Sequence, residues 1–270
     1  MQYVFMSHDV DWRRQGAPRE HIIARKDRFD KEILENMQYI NPYYNIPCYI
    51  DLEKGFGVRS TFFFRTIYEG GHYKDYEDDI RTLINGGWEI GLHTDPLSIN
   101  DTLKIQEEKI KLESLTKTAI KANRVHWLGF NAELPTRLQK LNFIYDSSIR
   151  NSKNIIDKNE MGYYKYDNNL IEFPITLMDA YMFTYMKIKE DRVVKTFEST
   201  LNYGRNLLMY SNNNKKCFNI ITVVWHDNVL KMKGGRMYKE ILEYLTSQDD
   251  VKIGRGIDLA EMIRKNNANF

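Results

Sequence analysis

Short apolar runs alternate with longer amphipathic stretches along this chain, and the two periods predict strands and helices in turn. Strands are predicted at the short runs 2–6, 60–64, 88–92, 124–128, 143–145, 170–173, 218–225 and 251–253. Helices are predicted at the stretches with helical spacing, 76–85, 101–121, 135–141, 190–209, 237–245 and 259–265. This alternation favours an α/β fold with a mainly parallel sheet, and the number of strands favours a barrel closed around a core.

Two stretches interrupt the alternation. Residues 12–47 are charged and aromatic, and residues 147–169 are polar and rich in Asn and Lys. Long loops in a compact domain often cover functional sites. We therefore expect one domain over residues 1–270, with insertions at 12–47 and 147–169.

Several predicted strands end in residues that bind metals or move protons. Asp9 and Asp11 follow the first strand, His93 and His226 follow later ones, and His126 lies within the run 124–128. In α/β proteins the carboxyl ends of parallel strands meet at one rim, where ligands bind. The sequence therefore predicts one assembled site, and two Asp with three His are typical of metal-assisted hydrolysis.

Composition narrows the class of protein. The chain has 270 residues with 42% hydrophobic content, enough for a full core, and 39 Lys and Arg against 37 Asp and Glu. The charges are interspersed without a dense basic arm, which argues against nucleic acid as a partner. Charged residues come too early for a secretion signal and no apolar run is long enough to span a membrane, so we expect a cytoplasmic protein.

Cysteine chemistry is not predicted to contribute to the site. Cys48 and Cys217 are the two cysteines of the chain, and they lie far apart without Cys-x-x-Cys spacing. Neither a disulfide scaffold nor a thiolate zinc site is supported by this pattern.

The ordered series of motifs resembles the polysaccharide deacetylase family with the NodB homology domain, also called carbohydrate esterase family four. The opening His-Asp-Val-Asp resembles the motif in which one Asp is the general base and the next binds the metal, here Asp9 and Asp11. Residues 60–63, Ser-Thr-Phe-Phe, match the next marker strand. The Gly-Leu-His-Thr segment 91–94 matches the motif that makes His93 a metal ligand.

The later motifs continue the resemblance in the same order. Arg124 stands where the family has the Arg that orients the base, and Trp225-His226 resembles the closing strand with its catalytic His. The segment that begins at Tyr145 resembles the strand between them, and Glu172-Phe173-Pro174 a later sheet segment. We expect Trp225 and Tyr145 to contact substrate.

The resemblance implies a distorted (β/α) barrel of about seven strands that holds a divalent metal, with zinc expected and cobalt or nickel as alternatives. It implies that water activated by the metal and Asp9 attacks the carbonyl of an N-acetyl or O-acetyl group on a sugar. His226 would then protonate the departing amine or alcohol, and the nearby Asp227 is expected to favour the protonated His226.

One departure from the family leaves a ligand missing. The family has a second metal-binding His four residues after the first, and Leu97 occupies that position here. Catalytic zinc sites usually have three protein ligands. We expect His126 to supply the third, with Asp95 and His8 as the alternatives.

Three functions follow from these residues. The main expectation is a metal-dependent deacetylase acting on an acetylated sugar or oligosaccharide precursor of surface polysaccharide, with no nucleic acid and no membrane span. The association with surface polysaccharide comes from the family branch that opens with His-Asp-Val-Asp. The alternatives are a metal-free barrel that binds a glycan or a biosynthetic partner, and a related hydrolase acting on a non-sugar amide.

Overall fold

The computed structural model describes residues 1–210 and 219–266. Cys217 and the first residue of the predicted strand 218–225 lie outside these ranges. The strands of the described chain are β1 Gln2–Val10, β2 Thr61–Phe64, β3 Glu89–Thr94, β4 Ala122–Val125, β5 Tyr145–Asp146, β6 Tyr164–Lys165, β7 Ile171–Glu172, β8 Leu177–Met178, β9 Ile220–Val224 and β10 Val251–Gly254. Each predicted strand has a counterpart, although most differ from it by a few residues.

Helices separate most of these strands, as the alternating pattern predicts. They are α1 Arg19–Ile23, α2 Lys31–Glu35, α3 Ile46–Gly55, α4 Glu77–Asn85, α5 Thr102–Thr116, α6 Leu134–Lys140, α7 Asp179–Thr184, α8 Val193–Tyr210, α9 Tyr238–Thr246 and α10 Gly256–Asn266. None of the helices in the described ranges is long and apolar enough to cross a membrane.

The strands form one sheet that curves into a half-barrel. Its order is β6-β7-β5-β4-β3-β2-β1-β9-β8, and β10 pairs with β1 off this path. Neighbouring strands are parallel except for β6 and β7. Because the strands on both sides of β1 run in one direction, their carboxyl ends share one rim.

Alternation along β1 decides which side chains face the inside of the barrel. Phe5 belongs to an inner cluster with Phe63 and Phe173, and three α10 residues, Leu259, Ala260 and Ile263, close this cluster. Val4 and Met6 belong instead to the outer core beneath the helices. Since side chains on a strand alternate between faces, Asp9 lies on the inner side with Phe5 and His8 on the outer side.

Two local features differ from the predicted elements. Strand β4 ends at Val125, and His126–Leu128 form a 3₁₀ turn in which Trp127 and Leu128 have φ of 59° and 56°. The predicted strand over 124–128 is therefore wrong beyond Val125, because these left-handed residues turn the chain out of the sheet. Six described elements were not predicted from the sequence: α1, α2, α3, β6, β8 and α7.

Candidate active site

The predicted site residues lie together at the carboxyl-end rim of the half-barrel. Asp9 and Asp11 lie at the end of β1, His93 on β3, His126 directly after β4 and His226 just after β9. These strands are widely separated in sequence, and the parallel sheet brings their ends together.

Three of these side chains form a compact triangle. Oδ1 of Asp11 is 3.1 Å from Nε2 of His93 and 3.2 Å from Nδ1 of His126. The two imidazole nitrogens are themselves 3.2 Å apart. Both imidazoles are buried, whereas the Asp11 side chain is 21% exposed and leaves the triangle open on one side.

This triangle fits a divalent metal. Nδ1 of His93 lies 3.0 Å from the carbonyl oxygen of Arg124, to which it donates, so the lone pair of Nε2 faces Asp11 and His126. Donor atoms around a tetrahedral zinc lie about 3.3 Å apart, close to the separations here. One carboxylate and two imidazoles are also a donor set that zinc, cobalt and nickel accept.

Arg124 holds Asp9 beside the triangle. The guanidinium is fully buried and lies 4.3 Å above the ring of Phe63. Its Nη1 donates to Oδ1 of Asp9 at 2.6 Å and to the Ser7 hydroxyl, while Nε donates to the Ser147 carbonyl. This network leaves Oδ2 of Asp9 facing the triangle, 3.8 Å from Nε2 of His93.

Asp9 is held as a carboxylate by its charged surroundings. Burial on its own would raise the pKa of Asp9, but Arg124 and then His93 and His226 outweigh it and lower the pKa. A carboxylate with one oxygen tied to Arg124 and the other directed at the site is positioned to accept a proton.

His226 lies on the other side of the triangle and is paired with an acid that sequence reasoning missed. Nδ1 of His226 donates to Oδ1 of Asp179 at 2.6 Å, and the His226 backbone N–H donates to Oδ2 at 2.9 Å. Burial opposes the charged imidazole, but Asp179 and then Asp11 and Asp9 raise the pKa of His226 to about 10. Nε2 of His226 faces the site, 3.6 Å from Oδ2 of Asp11.

Asp227, the expected partner of His226, makes no hydrogen bond to the His226 ring. Its carboxyl is fully buried, and neither oxygen has a hydrogen-bond partner within the described ranges. Burial and then the charge of Asp11 raise the pKa of Asp227 well above its ordinary value, and its carboxyl makes no hydrogen bond to the His226 ring. Asp179 makes that hydrogen bond instead.

The two alternatives for the third ligand point away from the triangle. Nδ1 of His8 hydrogen-bonds the Trp225 carbonyl and Nε2 contacts Glu53 on α3, which agrees with its outward place on β1. Asp95 accepts from the Leu97 backbone N–H and faces Arg65. Leu97 is 82% exposed, whereas His126 completes the triangle.

The two expected substrate contacts lie in the core, and those expectations are corrected. Trp225 is fully buried against Phe183 and Tyr238, and its indole N–H donates to the Gly235 carbonyl. Tyr145 is also fully buried and donates its hydroxyl to Glu89. Alternation along β9 explains the first case, because Trp225 and His226 point to opposite faces.

Comparison with known proteins was made by sequence and by structure. No family model matches the chain, and no curated protein matches it. A proposed polysaccharide deacetylase from Mycobacterium smegmatis superposes with a TM-score of 0.68 at 19% identity, over 98% of this chain and 91% of that one. The chain has the fold of NodB-like polysaccharide deacetylases. The predicted fold class is thereby confirmed.

Two further solved structures share this fold. PuuE allantoinase superposes with a TM-score of 0.65 at 14% identity, over 96% of this chain and 89% of that one. A pseudoenzyme of carbohydrate esterase family four from Bacillus anthracis superposes with a TM-score of 0.51 at 12% identity, over 96% of this chain and 66% of that one. At these identities the likeness establishes the fold and leaves the activity to the residues of the site.

Asp179 could have been found by the rule that identified the other site residues. It follows the apolar run 175–178 directly, as Asp11 follows β1. That run is interrupted by Thr176 and forms only the two-residue strand β8, so its strand pattern is weak.

Proposed function

We propose that this protein is a metal-dependent hydrolase that removes an acetyl group from an N-acetylated or O-acetylated sugar. The observation that carries the proposal is the Asp11, His93 and His126 triangle, with Asp9 on one side of it and His226 on the other. The polysaccharide deacetylase fold supports the choice of an acetylated sugar. We place the reaction in the assembly of surface polysaccharide.

The metal would be held by Asp11, His93 and His126, with zinc as the first choice. When bound, it would polarise the acetyl carbonyl and lower the pKa of water. The partly exposed side of Asp11 leaves room for the acetyl group.

Asp9 is proposed as the general base. Its Oδ1 is occupied by Arg124, so Oδ2 is the oxygen that takes the proton from the attacking water. Arg124 is a positioning residue, because it contacts Asp9 rather than the reacting atoms.

His226 is proposed as the general acid. The bond from Nδ1 to Asp179 fixes the ring, and Nε2 carries the proton that the departing amine or alcohol needs. An amine leaves poorly without a proton, so this step is essential for an N-acetyl substrate.

Two other functions have specific support. Leu97 departs from the family pattern, and a barrel of this fold that is a pseudoenzyme supports a glycan-binding protein without catalysis. The allantoinase of the same fold supports hydrolysis of a non-sugar amide.

The test is acetate release by purified protein loaded with zinc, measured on acetylated sugars and on small linear and cyclic amides. We expect acetate from the sugars, and we expect His93→Ala and His126→Ala to abolish it. His72→Ala is the matched control, because His72 is exposed and only caps a short turn. A folded, zinc-loaded protein that releases no acetate would contradict the proposal, and turnover of amides alone would select the second alternative.

A further inference from the structure

A cavity of about 670 Å³ opens directly beside the site. It is lined by Asp11 and His226 of the site and by residues of segment 12–47, helix α7 with the loop that follows, and residues 228–235. Small-molecule sites usually enclose about 300–1,000 Å³. The cavity is therefore large enough for a sugar together with a second chemical group.

The charges that line this cavity are mostly positive. Its five cationic residues, against the three acids Asp11, Asp27 and Glu190, are Arg25, Arg28, Lys187, Lys189 and Lys233. Glu190 is already engaged by Arg236, whose Nη2 donates to Oε2 at 2.9 Å. The chain as a whole carries a net charge of only +2, so this excess is a local feature.

These cations lack the carboxylate partners that surface cations often have. None of the five lies within 4.0 Å of a carboxylate in the described ranges. Arg25 donates to the His21 carbonyl and Lys233 to the Asp27 carbonyl, and neither bond neutralises a charge. Cations that share a concave site concentrate anions there.

The lowered pKa of His21 agrees with a positive electrostatic potential in this cavity. His21 lies on the cavity wall, and its pKa is lowered first by burial and then by Arg25 and Arg28. Trp12 and Phe183 also line the cavity and supply aromatic surface. Aromatic faces of this kind pack against sugar rings.

We propose that this cavity binds the phosphoryl group of an acetylated sugar, so that the substrate is a sugar phosphate or sugar diphosphate rather than a neutral polymer. This inference rests on the proposed deacetylase function and names its substrate class. Two guanidinium and three ammonium groups suit a group with several charged oxygens, such as phosphate or diphosphate, better than a single carboxylate.

The first test is binding, which is independent of catalysis. Calorimetry on protein freed of metal would measure the dissociation constants of inorganic diphosphate and of UDP-N-acetylglucosamine. The test variant is Arg28→Gln with Lys189→Gln, two cations of the cavity. The control is Arg19→Gln with Lys26→Gln, which removes the same charge from exposed residues outside the cavity.

We expect the cavity variant to weaken binding of both anions roughly tenfold or more, because hydrogen bonds to charged groups are strong, and the control to leave it unchanged. Equal affinities in the cavity variant and the control would overturn the proposal. Galacturonate, which carries a carboxylate, is compared with glucose 1-phosphate. If the two bind equally tightly, and if the cavity variant loses both, the cavity recognises a carboxylate as well as it recognises a phosphoryl group, and the proposal is overturned.

The second test separates this inference from the deacetylase function. Zinc-loaded protein would be assayed on N-acetylglucosamine, N-acetylglucosamine 1-phosphate and UDP-N-acetylglucosamine. We expect kcat/KM to be higher for the phosphorylated substrates, and the cavity variant to remove only that advantage. Equal rates on the neutral sugar would refute the phosphoryl site while deacetylation stands. Anion binding that depends on the cavity, without acetate release from any substrate, would support the site and refute the deacetylase.

Discussion

Asp179 holds His226 by two contacts at once, with Oδ1 2.6 Å from the ring Nδ1 and Oδ2 2.9 Å from the backbone nitrogen. The first contact fixes which ring nitrogen faces the site, and the second fixes where the residue sits. The neighbouring Asp227 makes neither contact. The acid function of His226 therefore depends on a residue 47 positions away in sequence.

We predict that Asp179→Asn lowers kcat for an N-acetylated sugar by about 10²-fold, with little change in KM, because general acid catalysis contributes about that much. Hydrolysis of 4-methylumbelliferyl acetate should be nearly unaffected, since its leaving group needs no proton. Steady-state kinetics on both substrates check this.

Asp227→Asn is the matched control for that experiment. Its carboxyl is buried and makes no hydrogen bond to the His226 ring, so the amide should preserve the rate on both substrates. An equal loss in the two variants, or an equal loss on the two substrates, would show that Asp179 acts only on folding.

We predict that Arg124→Met destabilises the fold by about 3–5 kcal/mol, because it leaves the buried Asp9 carboxylate without its partner. Adding Asp9→Asn should restore part of that loss, since the unpaired charge is removed. Urea unfolding of the two single variants and the double variant measures the coupling between the residues.

Arg137→Met is the comparison variant, because it removes an arginine from an ion pair at the surface rather than from a buried one. Arg137 pairs with Glu133, which is 76% exposed, and such pairs contribute about 1 kcal/mol or less. Additive losses for Asp9 and Arg124 would contradict the pairing described here.

Glu89 predicts a pH dependence of stability. Burial raises its pKa to about 7, although Thr61, Ile257 and Tyr145 donate hydrogen bonds to it. The folded state therefore binds the proton more tightly than the unfolded state, in which the pKa is 4.5. The contribution of Glu89 to the free energy of unfolding is complete below pH 4.5. It is lost as the pH rises to about 7, and the loss amounts to roughly 3 kcal/mol.

We expect Glu89→Gln to remove this part of the pH dependence. Urea unfolding between pH 4.5 and 8 on the wild type and the variant would show it, with the two curves diverging in slope over that window. If the stability curves of the wild type and the variant stayed parallel, Glu89 would have the same pKa in the folded and the unfolded state, and the prediction would be wrong.

We predict that zinc stabilises the folded protein through the triangle. At a free zinc concentration of 100 times Kd, binding to the folded state adds about 2.7 kcal/mol to the free energy of unfolding. His126→Ala should abolish this increase, while His72→Ala should retain it. Thermal unfolding with zinc and with chelator measures the difference, and an equal increase in both variants would place the zinc elsewhere.

Period-two alternation and the strand-end rule predicted much of this arrangement. They identified Asp9, Asp11, His93 and His226 as rim residues that meet in one site. The same alternation, applied to β9, would have placed Trp225 on the face opposite His226 and prevented its assignment to substrate. That error came from reading adjacency in sequence as adjacency in space.

Other features depend on tertiary structure and could not be obtained from pattern. His126 begins a turn in which Trp127 and Leu128 have positive φ, and neither residue type predicts that conformation. The raised pKa of Asp227 depends on burial by residues distant in sequence. Asp179 follows a strand too short for a clear period.

The central claim is that Asp11, His93 and His126 form a metal site, and anomalous scattering tests it most directly. Crystals grown with zinc would be measured on both sides of the zinc absorption edge. We predict one anomalous peak within about 2.0–2.2 Å of Oδ1 of Asp11, Nε2 of His93 and Nδ1 of His126. No peak at that position under saturating zinc, or a fully occupied peak held by other residues alone, would contradict it.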